Sequence, residues 1–421
     1  MIDLVVLAAV VLGFGLISGK AQGTSLTPPM AFVAAGLLLG AGGLGVLTGT
    51  VDTTALRILA EATLVLVLFS DAVRIELPLL RAEYHFPLRL LAVGMPLALG
   101  LGTLLAALVF PGIGWWEAAL VAAVLVPTDA ALGAAVVSDR RLPVRIRQSI
   151  NVESGLNDGI ALPVVMLLVS VVASAEEGIE SASWWVGFAA RQIGFGLFAG
   201  LVVGFAGGWL LRRIDAAGWI NATYRRLIVV AIAALAYGLA ELATGNGFIA
   251  AFAAGLCFGA VAREQCPYVH EFAEREGELL SMLTFTMFGA VILGPRLDDV
   301  TWPVVGYAVG SLVLVRGLAV TVAMVGSKVR WETVAFLGWF GPRGLASILF
   351  ALLVVERAGV AVADQVLLIT SVTVLLSVVT HGVTAAPWSR GYGRRAARLA
   401  AGAPEHVDVT QHYVRYQHTE R

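Results

Sequence analysis

From about residue 3 to residue 385 the sequence is a succession of apolar runs, most of them close to the ~20 residues that an α-helix needs to cross a bilayer. They fall at roughly 3–19, 29–48, 55–76, 88–109, 117–137, 147–173, 184–210, 225–243, 247–262, 278–294, 303–325, 332–355 and 363–385, which predicts about 13 spanning helices. The turn Thr244-Gly245-Asn246 divides two runs that hydropathy alone would merge. Only 14% of the residues are charged, against about 25% in a soluble domain. A single large aqueous core is therefore excluded, and the expected class is an all-α polytopic membrane protein. Asp3 precedes the first run and Lys20 follows it. That polarity is wrong for a cleaved signal peptide and right for a retained helix. The two cysteines, Cys257 and Cys266, do not make a disulfide framework.

Charge sets the expected orientation. Loops after odd-numbered runs hold about 22 of the 28 Lys and Arg residues. Basic loops face the cytoplasm, so the N-terminus is expected outside and the C-terminus inside. The acidic stretch Glu176-Glu177-Gly178-Ile179-Glu180 falls outside in this scheme. The paired tryptophans Trp115-Trp116 and Trp184-Trp185 fall at outer ends, as an aromatic belt does.

Two runs are interrupted, the fifth at Pro127 and the twelfth at Gly341-Pro342. A proline removes one helix hydrogen bond and clashes with the preceding turn. The freed backbone groups must be satisfied within the protein or by a wet cavity. The breaks lie seven runs apart, so runs 1–6 and 8–13 read as inverted repeats. Interrupted helices at matching repeat positions point to a transporter binding site.

Charge adjoins both breaks. Residues 153–158 read Glu-Ser-Gly-Leu-Asn-Asp in the sixth run, and Thr128-Asp129 follows Pro127. Intramembrane acids are costly and mark functional sites. Ser154 and Asp158 share one helical face, and Glu153 and Asn157 share another. The first face offers hard oxygen ligands for an ion. The second offers a charge partner, and Arg343 in Gly341-Pro342-Arg343-Gly344 is the expected mate of Glu153.

These stretches resemble the signature of monovalent cation:proton antiporters of the first subfamily, the NhaP and eukaryotic sodium/proton exchanger type. Gly247-Phe248-Ile249-Ala250-Ala251-Phe252-Ala253-Ala254-Gly255, Gly341-Pro342-Arg343-Gly344-Leu345-Ala346-Ser347 and Pro28-Pro29 with Gly36 and Gly40 resemble further motifs of that family. The resemblance implies an NhaA/NhaP-like fold of thirteen helices with crossed unwound helices, a homodimer, and a core domain rocking against a dimer domain. It implies that Asp158 alternates between Na⁺ and a proton, with Ser154 and the Thr128 backbone as further ligands. Asp129 would steady the unwound helices and reach the ion through water. Glu153 and Arg343 resemble the structural ion pair. Asn157 stands where electrogenic relatives carry a second aspartate, which implies electroneutral one-for-one exchange. Asp71 resembles a third-helix acid that can face the ion; three residues before Arg74, it equally fits a solvated helix end. Arg316 matches a family position, and its simplest role is as structural partner of a nearby acid or helix end. His381-Gly382 resembles another family pair and reads as a helix-end feature.

The expected function is secondary antiport of Na⁺, or of Li⁺ or K⁺, against H⁺ in the cell membrane, with the transported ions in place of any cofactor. Residues 1–386 would form the antiporter domain. Residues 387–421 would form a short basic cytoplasmic tail on anionic lipid. A cation channel or pH-sensing membrane protein with an acidic occluded pore is the alternative, since a ring of acids would serve it too. An anion transporter would want an excess of intramembrane base. The sequence contains no P-loop, dinucleotide fingerprint or triad pattern, so neither an enzyme nor a nucleic-acid partner is expected.

Overall fold

In the computed structural model, the structure describes residues 2–21, 24, 26–47, 53–73, 75, 85–177, 182–263, 266–357, 360–400 and 402–407. Among these residues the chain is helical almost throughout. The helices are α1 (Ile2–Ala21), α2 (Pro28–Leu39), α3 (Thr53–Val73), α4 (His85–Val109), α5 (Trp115–Leu125), α6 (Ala130–Val137), α7 (Val144–Glu177), α8 (Ala182–Ala216), α9 (Ala222–Leu242) and α10 (Gly247–Val261). Then come α11 (Cys266–Met287), α12 (Trp302–Ala323), α13 (Trp331–Trp339), α14 (Leu345–Arg357) and α15 (Val360–Ala396). Counting α5 with α6 and α13 with α14 as broken single spans, the described residues form the thirteen segments expected.

Among the described residues, six helical stretches are long and apolar enough to cross a membrane: His85–Val109, Val144–Ala173, Ala190–Ala216, Gly277–Asp299, Trp302–Ala323 and Val362–Ala396. Others are shorter because the chain breaks or turns within the apolar run. α5 stops at Leu125 ahead of Pro127, and α13 stops at Trp339 ahead of Pro342.

The repeat expected from the two prolines has a second mark. A π-helical turn, Leu90–Gly94, lies in the fourth segment, and another, Ser311–Val315, lies in the eleventh. They are seven segments apart, like the breaks. π-turns are rare and gather at functional sites; the second delivers the chain directly into Arg316.

The segments pack in two groups. α4 to α7 pack with α12 to α15, and α1 to α3 pack with α8 to α11. Lipid gives apolar side chains little reason to associate, so membrane helices bind where small residues let backbones approach. Gly200 and Gly204 of α8 lie against the backbone at Ala250 and Ala254 of α10, and Gly255 and Gly259 of α10 lie against Phe69 and Val73 of α3. The two groups meet where α3 packs on α7 and where α2 packs on α15.

The tail departs from expectation. α15 runs past the boundary at residue 387, through Pro387, to Ala396. The chain then turns back onto the first group. Glu405, 1% exposed, accepts hydrogen bonds from the Arg330 N–H and the Thr333 hydroxyl, both at 2.9 Å. The Arg145 guanidinium donates to the Pro404 carbonyl at 2.7 Å. The helix N-terminus at Thr333 supplies the donors that a carboxylate satisfies. Residues 402–407 are therefore folded onto protein, not spread on lipid; residues 408–421, the rest of the expected tail, lie outside the described residues.

Candidate functional site

The two breaks cross and satisfy one another. The Asp129 N–H donates to the Pro342 carbonyl at 2.8 Å. The Arg343 guanidinium donates to the Pro127 carbonyl at 3.1 Å. Each unwound strand thus supplies partners for backbone groups that proline removed from the other helix, as burial in lipid requires.

The Asp129 carboxylate joins the two half-helices. One oxygen accepts from Leu132 N–H at 3.3 Å, within the first turn of α6. The other accepts from Leu345 N–H at 2.5 Å, the first residue of α14. A helix N-terminus presents unpaired N–H groups and a partial positive charge, and here two such ends meet on one carboxylate. Gly344 makes the approach possible, because a Cβ there would collide with the Asp129 carboxylate.

α7 passes beside the crossing. The Thr128 and Ser154 hydroxyls lie 2.9 Å apart, and the Asn157 amide donates to the Thr128 hydroxyl at 2.6 Å. Asp158 follows Asn157 on the same buried helix and is 7% exposed. Asp71 is 8% exposed, within α3, and lies against Gly155: a Cβ built there would be 3.9 Å from the Asp71 Cβ. Burial removes the solvated-end reading of Asp71. The structure thus brings Thr128, Ser154, Asn157 and Asp129 together, with Asp158 and Asp71 adjoining them on α7 and α3. Among the described residues no group of three His, Cys, Asp or Glu forms a cage for a resident metal.

The expected ion pair is corrected. Glu153 pairs with Arg316, not with Arg343. Both Arg316 terminal nitrogens engage the Glu153 carboxylate, Nη1 to one oxygen and Nη2 to the other at 2.8 Å. Two parallel bonds match a guanidinium to a carboxylate. Gly341 permits this, since a Cβ there would strike the Arg316 guanidinium. Arg343 is 1% exposed and serves the opposite break through Pro127. The sequence places Glu153 and Arg343 at one depth but does not say which way α12 turns Arg316.

Sequence reasoning also undervalued His381. It lies well inside α15, 2% exposed, with Nε2 2.9 Å from the Trp339 carbonyl. Ser377, one turn earlier, accepts the Arg343 N–H at 2.6 Å. The available signal was two polar residues spaced i, i+4 in an apolar run.

Residues 6–391 match the family model described as sodium/hydrogen exchanger, transmembrane. The chain is 24% identical over 358 residues to the K⁺/H⁺ antiporter NhaP2 of Shewanella sp. (strain ANA-3), covering 84% of this chain and 60% of that protein. It is 26% identical over 367 residues to the K⁺/H⁺ antiporter NhaP of Alkalimonas amylolytica, covering 86% and 62%. These curated relatives are longer, and the match spans about three-fifths of their length. The structure of the sodium proton antiporter MjNhaP1 from Methanocaldococcus jannaschii at pH 8 superposes with a TM-score of 0.74 at 18% identity, covering 93% of this chain and 99% of that one. That likeness establishes the fold.

Proposed function

The chain belongs to the sodium/hydrogen exchanger family and is a multi-pass membrane protein, and from that premise we propose that it exchanges a monovalent cation, Na⁺ or K⁺, for H⁺. The observation that carries this reading is the crossing of two broken helices on Asp129, directly beside the Thr128, Ser154, Asn157 and Asp158 cluster. Asp158 has two exclusive occupants. Ionised, it takes the cation, with the Ser154 hydroxyl and Thr128 oxygens as neighbouring ligands. Protonated, it releases the cation. A bare charge is costly at membrane depth, so the site reorients only when neutralised by one occupant or the other. Competition for one carboxylate couples the two fluxes, and the first helix group rocking against the second alternates access.

Asp129 is held by three groups of the crossing, the Leu132 and Leu345 N–H groups and the Pro342 carbonyl, and acts as its fixed anion, reaching the cation only through water. Asp71 faces the site from the other helix group, where relative motion changes its distance to Asp158. The protein functions as a homodimer in the cell membrane, with the N-terminus outside and residues 402–407 on the cytoplasmic side. The charge asymmetry of the loops supports the orientation.

Proteoliposomes with an imposed pH gradient, given Na⁺, Li⁺ or K⁺ separately, test the reading. Saturable cation uptake with stoichiometric H⁺ release is expected. Unitary currents, or proton flux indifferent to all three cations, would overturn it.

A further inference from the structure

We infer that Ser377 and His381 are positioning residues that stand in for the hydrogen bond missing between α13 and α14, holding that break open. In an unbroken helix the N–H of residue 343 would donate to the C=O of residue 339, four positions earlier. Pro342 prevents the helix from running through. The two halves of that one rung are therefore parted: the Trp339 carbonyl ends α13, and the Arg343 N–H lies in the unwound strand. Arg343 is buried and Trp339 half-buried, and at that depth an unmet backbone group is costly.

α15 supplies a substitute for each half. The Ser377 hydroxyl accepts the Arg343 N–H at 2.6 Å. The His381 ring reaches the Trp339 carbonyl with Nε2 at 2.9 Å. The Gly341 N–H also donates to that carbonyl at 2.8 Å, which turns the chain away from the helix axis. The two side chains are themselves linked, His381 Nδ1 lying 3.2 Å from the Ser377 hydroxyl and 2.9 Å from the Ser377 carbonyl. Trp339 and Phe340 pack around the imidazole, with ring centroids 5.1 and 6.4 Å away. Ser377 and His381 lie one turn apart on α15, so a rigid helix sets the gap between the parted groups.

Pro342 lies between the two anchored groups and Arg343 carries one of them, and both contact the opposite break: the Pro342 carbonyl accepts the Asp129 N–H, and the Arg343 guanidinium donates to the Pro127 carbonyl. Neither Ser377 nor His381 is a cation ligand. Their effect reaches the cation through the placement of Asp129 and Thr128. The proposal rests on the antiport reading for its functional consequence, but its structural half stands on the break alone.

The test uses the full chain in proteoliposomes, with Ser377→Ala, His381→Ala and His381→Gln. Each alanine variant should raise the half-saturating cation concentration about tenfold, the effect of losing one buried hydrogen bond, while the maximal rate holds. His381→Gln should recover most of the loss, since a carboxamide N–H can meet the Trp339 carbonyl. In parallel, deuterium exchange over residues 339–345 should quicken in the alanine variants and not in His381→Gln. Ser377→Ala removes only a hydroxyl, so the exchange measurement survives even if His381→Ala misfolds. Wild-type affinity and wild-type exchange in Ser377→Ala would overturn the inference, as would equal impairment in His381→Gln and a folded His381→Ala. If the parent exchanges no cation for H⁺, the antiport reading fails, and the deuterium measurement still decides the role of the pair.

Discussion

Glu153 and Arg316, far apart in the chain, meet through both carboxylate oxygens in the buried first helix group. The pair ties α7 to α12, and so joins one repeat to the other. Removing either member strands a charge, at a cost of about 3–5 kcal/mol. Glu153→Gln and Arg316→Ala should each lower the melting temperature in detergent. The double variant should cost much less than the sum, because no orphan charge remains. Glu153→Gln with Arg343→Ala should be closer to additive, since Arg343 bonds to Pro127 instead. Strong coupling to Arg343 and none to Arg316 would contradict the arrangement.

Asp158→Asn preserves volume and deletes the group for which we propose that cation and proton compete. Both cation uptake and H⁺ release should vanish in a protein that still elutes as a folded species. Exchange at a substantial fraction of the parental rate would remove Asp158 from the mechanism.

Asn157 donates its amide to the Thr128 hydroxyl at 2.6 Å and carries no titratable proton. One H⁺ per cation, and no net charge movement, is the expected stoichiometry. A membrane potential of 100 mV biases one net charge by about 2.3 kcal/mol. Liposomes clamped at 0 and −100 mV should therefore reach the same Na⁺/H⁺ end point. A shift of about tenfold or more in the balancing gradient, equal to about 1.4 kcal/mol, would mean that a second acid changes protonation during the cycle.

Glu405 is a buried acid outside the spanning helices, bonded to the start of α13. Glu405→Ala should destabilise the protein by about 1–2 kcal/mol, as the loss of a helix cap does. Glu405→Gln should cost less, because its amide oxygen still accepts from Arg330 and Thr333. Proteolysis after residue 396 should quicken in Glu405→Ala. An unchanged melting temperature in that variant would show that the strap at 402–407 bears no load.

Much of the architecture was legible in the sequence because membrane burial leaves few choices. Apolar run length determined the helices, and Pro127 and Pro342 located the breaks, since a ring without an N–H cannot continue a helix rung. The acids beside those breaks marked the candidate site, because charge at that depth persists only with a partner or a task. Partner choice was different. Arg316 and Arg343 are both buried arginines near one carboxylate, and hydropathy treats them alike. The path of α12 after its π-turn and the absence of a Cβ at Gly341 gave Glu153 to Arg316, while the crossing gave Arg343 to Pro127. Ser377 and His381 were equally hidden, because their partners are backbone groups, which every residue carries and no sequence distinguishes. The same holds for Glu405, whose donors at Arg330 and Thr333 come within reach only when the chain turns back after α15. The sequence alone determined how many helices form and where they fail; only the tertiary structure decided which buried group answers which, because that choice depends on distances between segments 34 to 216 residues apart.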